Sequence, residues 1–414
     1  MKRLSQFSGC VGSLFLVLLL AILGSNPVIA ADVCDKKPEL PKCNPPPDPP
    51  PEPEPDPDDP CANFSSPDYA FWRDSGRRNA PAKTIFVAES ATGCEKEVLR
   101  IDLTDIGYVN RLNLAYSSSG TDSNFLGRVV YQIDIGSVSS EAEANPVWKY
   151  DFGISEGQIH SAEGPLPVLE NSDPENSNAG GLDLSADTGS LVWKLSLSVG
   201  DGLWKESIRT LDIDGCQVWP CASVAGGNSL VEYDYHTSYP DPSTGVYLQN
   251  PVWGPLGKSI YFVAKEFQPN SHSHYVMRIA ADGSASGLAT KIFGIENQVP
   301  GDPNYRHVRS VASGLSGWPE SGEYLAVEIG DDNMVWSCAD VYTLNVASCE
   351  GENPDTQCDL QYELGGNFMT WTRSSTILLT GLGGACKYNQ IGIWDGVDVN
   401  IITKGYEPEA AGEQ

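Results

Sequence analysis

Apolar positions in this chain gather into short runs, each entered through a turn. Trp253-Gly254-Pro255-Leu256-Gly257-Lys258-Ser259-Ile260-Tyr261-Phe262 is one such phrase, and Trp318-Pro319-Glu320-Ser321-Gly322-Glu323-Tyr324-Leu325-Ala326-Val327 is another. Looser copies occupy residues 185–193 and 371–379, and Trp72 to Gly76 followed by Thr84-Ile85-Phe86-Val87 fits with a few loop residues inserted. A second pattern keeps step with the first: apolar, two intervening residues, apolar, then Asp or Asn. It reads Val98-Leu99-Arg100-Ile101-Asp102, Ile208-Arg209-Thr210-Leu211-Asp212 and Val341-Tyr342-Thr343-Leu344-Asn345, with variants at 276–279 and 391–395. Val130-Tyr131-Gln132-Ile133-Asp134 supplies a copy where the first phrase is hard to find.

Runs rich in Val, Ile, Tyr and Trp, separated by Asp-Gly and other Gly turns, predict strands and hairpins. No stretch after residue 30 keeps a helical period over a dozen residues. A unit that cannot bury its own apolar face must stack on its neighbours, and a unit of roughly 50–70 residues has the length of a propeller blade with insertions. The expected fold is all-β, a β-propeller over 62–408. Five blades are counted directly and a sixth is inferred from residues 130–134.

The Pro-x-Trp-x-Pro-x-Gly-Lys-x-Ile-x-Phe pattern at 251–262, together with 319–327, resembles the TolB-like (WD-like) β-propeller repeat. In that family the phrase is usually Trp-Ser-Pro-Asp-Gly. Leu256 and Glu320 stand near the usual Asp here, Ser374-Ser375 replaces Asp-Gly, and 104–180 has no clean phrase. The resemblance implies six blades, with five and seven left open, and a binding platform, most often for another protein.

Ahead of the repeats lies an address. Lys2-Arg3, the apolar stretch 11–23 and Val28-Ile29-Ala30 spell a secretory signal peptide over 1–30. The apolar stretch is too short to span a bilayer, and no later stretch approaches the ~18 apolar residues a spanning helix needs. A periplasmic or secreted destination is expected. Beyond residue 30 stand ten cysteines: Cys34, Cys43, Cys61, Cys94, Cys216, Cys221, Cys338, Cys349, Cys358 and Cys386. An even number in an exported chain points to disulfides, and the absence of any Cys-x-x-Cys pair argues against zinc. Cys34–Cys43 and Cys216–Cys221 would close short loops. Cys94 and Cys386 each lie ten residues after a Thr-Ile pair, so a bridge between them would lock the ring; local pairing of Cys61 with Cys94 and of Cys358 with Cys386 is equally open.

Residues 31–61 combine this Cys loop with the acidic proline tract 44–60, whose only apolar side chains are prolines. Such a tract favours extended polyproline II at ~3.1 Å per residue, a spacer of about 50 Å. Residues 409–414 are read as a tail. The formal charge is −29, and loss of Lys2 and Arg3 takes it to −31. That balance opposes nucleic acid and anionic membranes, whose binding rests on Lys and Arg.

Chemistry is sparse by comparison. No Gly-x-Ser-x-Gly elbow occurs and no α/β segment follows the repeats, so serine-peptidase activity is not expected. His272-Ser273-His274 invites a metal reading, but it follows Pro269-Asn270-Ser271 and is expected to be a solvated hairpin tip. Asp212-Ile213-Asp214-Gly215 and Asp331-Asp332-Asn333 leave Ca²⁺ open, without the spacing of an EF-hand loop. No other cofactor is expected. Ser185-Ala186-Asp187-Thr188-Gly189 with Trp193 nearly spells the Asp-box of sialidase-like propellers, a structural turn. Trp204 and Trp219 stand in variable stretches. Aromatic and polar residues alternate over 233–240, expected to be a loop, which makes Tyr233, Tyr235, His236 and Tyr239 the candidate binding residues. The expectation is a monomeric, non-catalytic platform for a protein partner; the alternative is a glycan-acting enzyme with carboxylates at the propeller channel.

Overall fold

A computed structural model describes residues 61–410 except 78–79, 105–110, 120–124, 135–145, 172, 174–175, 238–242, 285–287, 317–321, 332–338, 350–360, 372–376, 381–389, 395–398 and 404–405. The signal peptide, the proline tract, Cys34, Cys43, Cys338, Cys358, Cys386 and Tyr239 lie outside the described residues.

The strands, in chain order, fall into groups. β1 (Tyr69–Arg77), β2 (Ala80–Ala88) and β3 (Glu95–Asp102) precede β4 (Arg111–Ser119), β5 (Leu126–Asp134), β6 (Val147–Ser155) and β7 (Gln158–Glu170). Next come β8 (Ser177–Leu184), β9 (Ser190–Gly200), β10 (Leu203–Asp212), the short β11 (Ala222–Ser223) and β12 (Asn228–His236). They are followed by β13 (Thr244–Trp253), β14 (Ser259–Gln268), β15 (Ser271–Ala280) and β16 (Thr290–Gln298). The last third holds β17 (Arg306–Ser316), β18 (Gly322–Asp331), β19 (Ala339–Asn345), β20 (Gln361–Trp371), β21 (Ile377–Thr380), β22 (Ile391–Trp394), β23 (Val399–Thr403) and β24 (Tyr406–Ala410).

Pairing resolves these into six four-stranded antiparallel blades. They are β24-β1-β2-β3, β4 to β7, β8-β9-β10-β12, β13 to β16, β17 to β20, and β20 to β23. The long β20 serves twice: residues 361–366 pair with β19, and 367–371 with β21. The innermost strands β4, β8, β13, β17, β20 and β24 each pack against the next, and β24 returns to β4. The circle closes because the C-terminal β24 pairs with β1, Tyr69 opposite Ala410 and Trp72 opposite Tyr406.

Blade four shows why these sequences make strands. In β14, Ile260, Tyr261, Phe262 and Val263 are all fully buried. Successive strand residues face opposite sides, so Ile260 and Phe262 join the apolar cluster with Leu230, Leu248 and Met277, while Tyr261 and Val263 join the one with Val308 and Leu325. A strand sandwiched between two blades reads as a continuous apolar run instead of an alternation. Among the described residues the core is therefore six clusters, one at each seam between neighbouring blades.

The turn phrases at 185–193 and 253–262 link the innermost and second strands of blades three and four, and the strand ends of the phrases at 318–327 and 371–379 open β18 and β21, the second strands of blades five and six; 318–321 and 372–376 lie outside the described residues. Blade one differs. Trp72 lies within β1 and Thr84-Ile85 within β2, the second and third strands, and 98–102 falls on the outermost β3. The cause is ring closure: β24 supplies the innermost strand, so the chain enters blade one at its second position. In blade two, 130–134 lies on the second strand, β5; its spacing suits any strand buried on both sides.

Two disulfides are described, Cys61–Cys94 and Cys216–Cys221, and Cys349 is also disulfide-bonded. Since Cys94 is taken by Cys61, the Cys94–Cys386 ring lock does not form. Ring closure rests on strand pairing instead.

Candidate functional site

One end of the barrel of blades gathers rings from three of them. β12 ends here, β13 begins, and β14 turns into β15; β17 starts beside them. Tyr235 packs against Tyr247 and Phe267, each at 5.5 Å between centroids. Phe267 meets His272 edge-on at 4.7 Å, and His272 meets Tyr305 at 5.8 Å. The arc thus crosses from the outer strand of blade three, over blade four, to the entrance of blade five. Tyr235, Tyr247, Phe267 and His272 are each only partly buried, so the arc is both packed and accessible.

The stretch expected to be a loop is largely strand. Residues 233–236 belong to β12, which pairs with β10 and, through Tyr235 and His236, with Gly245 and Thr244 of β13. Tyr233 and Tyr235 share a side of the strand. Tyr233 packs partly against the cluster between blades three and four, and burial raises its phenol's pKa. His236 is exposed on the other side. The four candidates therefore separate: Tyr235 lies in the arc, Tyr233 beside it, His236 away from it, and Tyr239 outside the described residues. Trp204 is on β10, whereas Trp219 sits in the Cys216–Cys221 loop under the Lys149 ammonium, 4.6 Å from its ring.

At the blade-five end the arc becomes a histidine cluster. Nδ1 of His272 lies 2.8 Å and Nε2 of His274 2.9 Å from the Tyr305 hydroxyl, which therefore bridges the two imidazoles. The His307 ring stands 5.7 Å from that of His274, and the Arg309 guanidinium donates to His307 Nε2 at 3.2 Å. The solvated hairpin tip expected at 272–274 is thus corrected: Ser271 already begins β15, and His274 is 2% exposed against blade five. His274 Nδ1 has no hydrogen-bond partner among the described residues. Burial, followed by Lys265, His307 and His272, pulls the His274 pKa down to about 3. Burial, Lys265 and Arg309 pull His307 down to about 4. Both imidazoles are neutral at physiological pH.

No group of three or more His, Cys, Asp or Glu among the described residues is placed to hold a metal ion. Lys265 and Arg309 beside the histidines oppose a cation there on charge grounds. In the Asp212 turn the carboxylate accepts from the Gly215 amide at 3.0 Å, and Asp214 accepts from Arg128 at 2.8 Å. Asp331 closes β18, and Asp332 and Asn333 lie outside the described residues. The Asp-box-like turn caps itself, Asp187 accepting from Gly189 and from the Ser185 hydroxyl.

Three groups were not legible beforehand. Tyr247, Phe267 and Tyr305 complete the arc, and only Phe267, just before the 269–271 hairpin, offered a local signal. The network of Arg128, Asp151 and Lys149 at the seam of blades two and three was also unforeseen: Arg128 grips both Asp151 oxygens at 2.7 and 2.9 Å. Asp183, on the innermost β8, accepts from the Trp253 and Leu184 amides at 2.6 and 2.8 Å, and burial pushes its pKa up to about 7.

No family model matches this chain, and no curated protein matches it. Solved structures similar to it include TolB from Acinetobacter baumannii, at 13% identity and a TM-score of 0.42 over 84% of this chain and 67% of that one. A puromycin-hydrolyzing peptidase from Mycobacterium tuberculosis matches at 14% identity and a TM-score of 0.41 over 86% of this chain; the match spans 49% of the peptidase, about half its length. The GH93 alpha-L-arabinofuranosidase of Fusarium graminearum matches at 10% identity and a TM-score of 0.37, over 72% of this chain and 80% of that one. At such identities these likenesses add nothing to the six-bladed fold read from strand pairing.

Proposed function

We propose that this protein is an exported, non-catalytic six-bladed propeller that docks a protein partner across its aromatic arc. The observation that carries the proposal is the continuous series of ring contacts through Tyr247, Tyr235, Phe267, His272 and Tyr305, partly open to solvent on one face. Rigid aromatic side chains supply contact area at low entropic cost, and Tyr is enriched at binding hot spots. Export is supported by the described disulfides, which persist in oxidising compartments. No helix among the described residues is long and apolar enough to cross a membrane.

The test is cross-linking and co-purification of the full chain from its native envelope or medium, beside Tyr235→Ala and Phe267→Ala variants. Wild type is expected to retain one stoichiometric partner, and each variant to lose at least about 2 kcal/mol of binding, the hot-spot scale. Equal recovery by folded variants, or glycan turnover abolished by Asp183→Asn, would refute the docking reading.

A further inference from the structure

The opposite face carries a cleft that the aromatic arc does not use. It lies where the β8–β9 turn of blade three meets the β13–β14 turn and the end of β15 in blade four, and its volume is ≈ 480 Å³. That is within the size range of ligand pockets. Trp253, Pro255 and Leu256 form its apolar wall, and Asp187, Asp282 and Ser185 are among its polar lining. Among the described residues the lining includes no Lys, Arg or His.

Each feature of the wall is fixed by the fold. Trp253 is clamped through its backbone: its amide donates to Asp183 at 2.6 Å, and its carbonyl accepts from the Ser313 hydroxyl of blade five. Its indole Nε1 is buried without a hydrogen-bond partner among the described residues. The polar edge is therefore turned away from water. Leu256 is 59% exposed at the turn tip, held there by the Gly257 amide donating to the Gly254 carbonyl at 2.9 Å. An exposed Leu at a cleft rim is apolar contact area awaiting cover. The carboxylates are equally set. The Gly189 amide anchors Asp187 at 3.1 Å, and the Ser284 amide anchors Asp282 at 2.8 Å. Hydrogen bonding to Ser284 also holds the Asp282 pKa below its ordinary value.

We infer that this cleft binds an organic cation, an ammonium or guanidinium group on an apolar stem. Two carboxylates of one sign in a concave site focus the field of an already acidic protein. A Trp face attracts a cation by its quadrupole, by about 0.5–2 kcal/mol, while Leu256 and Pro255 cover the stem. An anion would be repelled by both carboxylates. A compact divalent ion would gain the carboxylates without the apolar wall. The same chemistry is presented by a free alkylamine and by a Lys side chain in a polypeptide, and the volume accommodates either.

The experiment titrates the full chain with n-butylammonium, n-butyrate, n-butanol and the blocked dipeptide acetyl-Leu-Lys-amide, following indole resonances by NMR. Butylammonium is expected to bind at least about tenfold tighter than butyrate or butanol, and to weaken with salt. Asp187→Asn with Asp282→Asn, which keeps both turn-capping oxygens, is expected to cut that affinity at least about tenfold while the melting temperature stays unchanged. Leu256→Ala, at an exposed position, is expected to weaken the dipeptide more than the bare amine. Tighter binding of the dipeptide than of butylammonium assigns the site to a polypeptide side chain, and equal binding assigns it to a free amine. Butyrate binding as tightly as butylammonium, or an Asn double variant with unchanged affinity, overturns the inference.

Discussion

His274 and its neighbours couple this fold to pH. An imidazole buried neutral must charge when the chain unfolds in acid. With folded values near 3 for His274 and 4 for His307 against an ordinary 6.5, the stabilisation is full above pH 6.5 and is lost as pH falls toward those values. Each unit below 6.5 removes about 1.4 kcal/mol per histidine. Asp183 acts in the opposite sense. Its pKa is raised to about 7, so its contribution is full below the ordinary carboxyl value near 3.8 and is lost as pH rises toward 7. Two histidines against one such carboxyl leave a net loss in acid from these groups. Urea unfolding at a series of pH values should show His274→Asn, which keeps a partner for Tyr305, less sensitive between pH 6.5 and 4 than wild type. Parallel curves would assign the acid response elsewhere. Arg128 makes a second prediction. It is buried at 4% exposure; burial works against its charge but is outweighed by Asp151 and Asp214, which hold its pKa above the ordinary value. Arg128→Ala would take two of the three donors from the buried Asp151 carboxylate and leave it Lys149 alone, costing about 3 kcal/mol by chemical denaturation, the low end of the scale for breaking a buried pair.

Among the elements, the blade-one hairpin depends most on a covalent tie. Cys61 precedes the first strand and reaches Cys94 in the β2–β3 turn, closing a separation of 33 residues. Beside it, the Phe64 amide donates to the Cys61 carbonyl, and Glu89 caps the Ser65 amide at 2.8 Å. Cys61→Ser with Cys94→Ser is expected to lower stability by about 3–4 kcal/mol, the loop-closure scale; a loss under 1 kcal/mol would show that local hydrogen bonds suffice. The same elements show where local reading holds. The 253–262 phrase predicted a turn into a buried strand, and β13, the 254–258 turn and β14 follow it. In blade one the phrase fell a strand late, because nothing near Trp72 says that residue 406 will take the innermost place. Cys216 with Cys221, only five residues apart, paired as expected, while for Cys94, left open between Cys61 and Cys386, the structure shows Cys61.

As a whole the molecule is a ring whose clusters lie between blades, so no blade is complete alone. Removing β24 takes the innermost strand from blade one and exposes the seam of Tyr69, Phe71 and Ile391. Truncation before Tyr406 is expected to replace one cooperative thermal transition with broad, aggregation-prone melting. A sharp transition within about 3 °C of wild type would mean that five intact blades hold the sixth.

Blade-like strands, the all-β class and the short Cys216–Cys221 loop were legible in the sequence alone, because turn residues and both-face burial act over a dozen neighbours, whereas the structure chose Cys61 over Cys386 as the partner of Cys94. The tertiary structure decided the six-fold count, the closing strand, the Tyr305 bridge between two histidines and the company Tyr235 keeps. Those depend on residues up to about 340 positions apart, and which seams bring them together is a property of the closed circle that no local window contains.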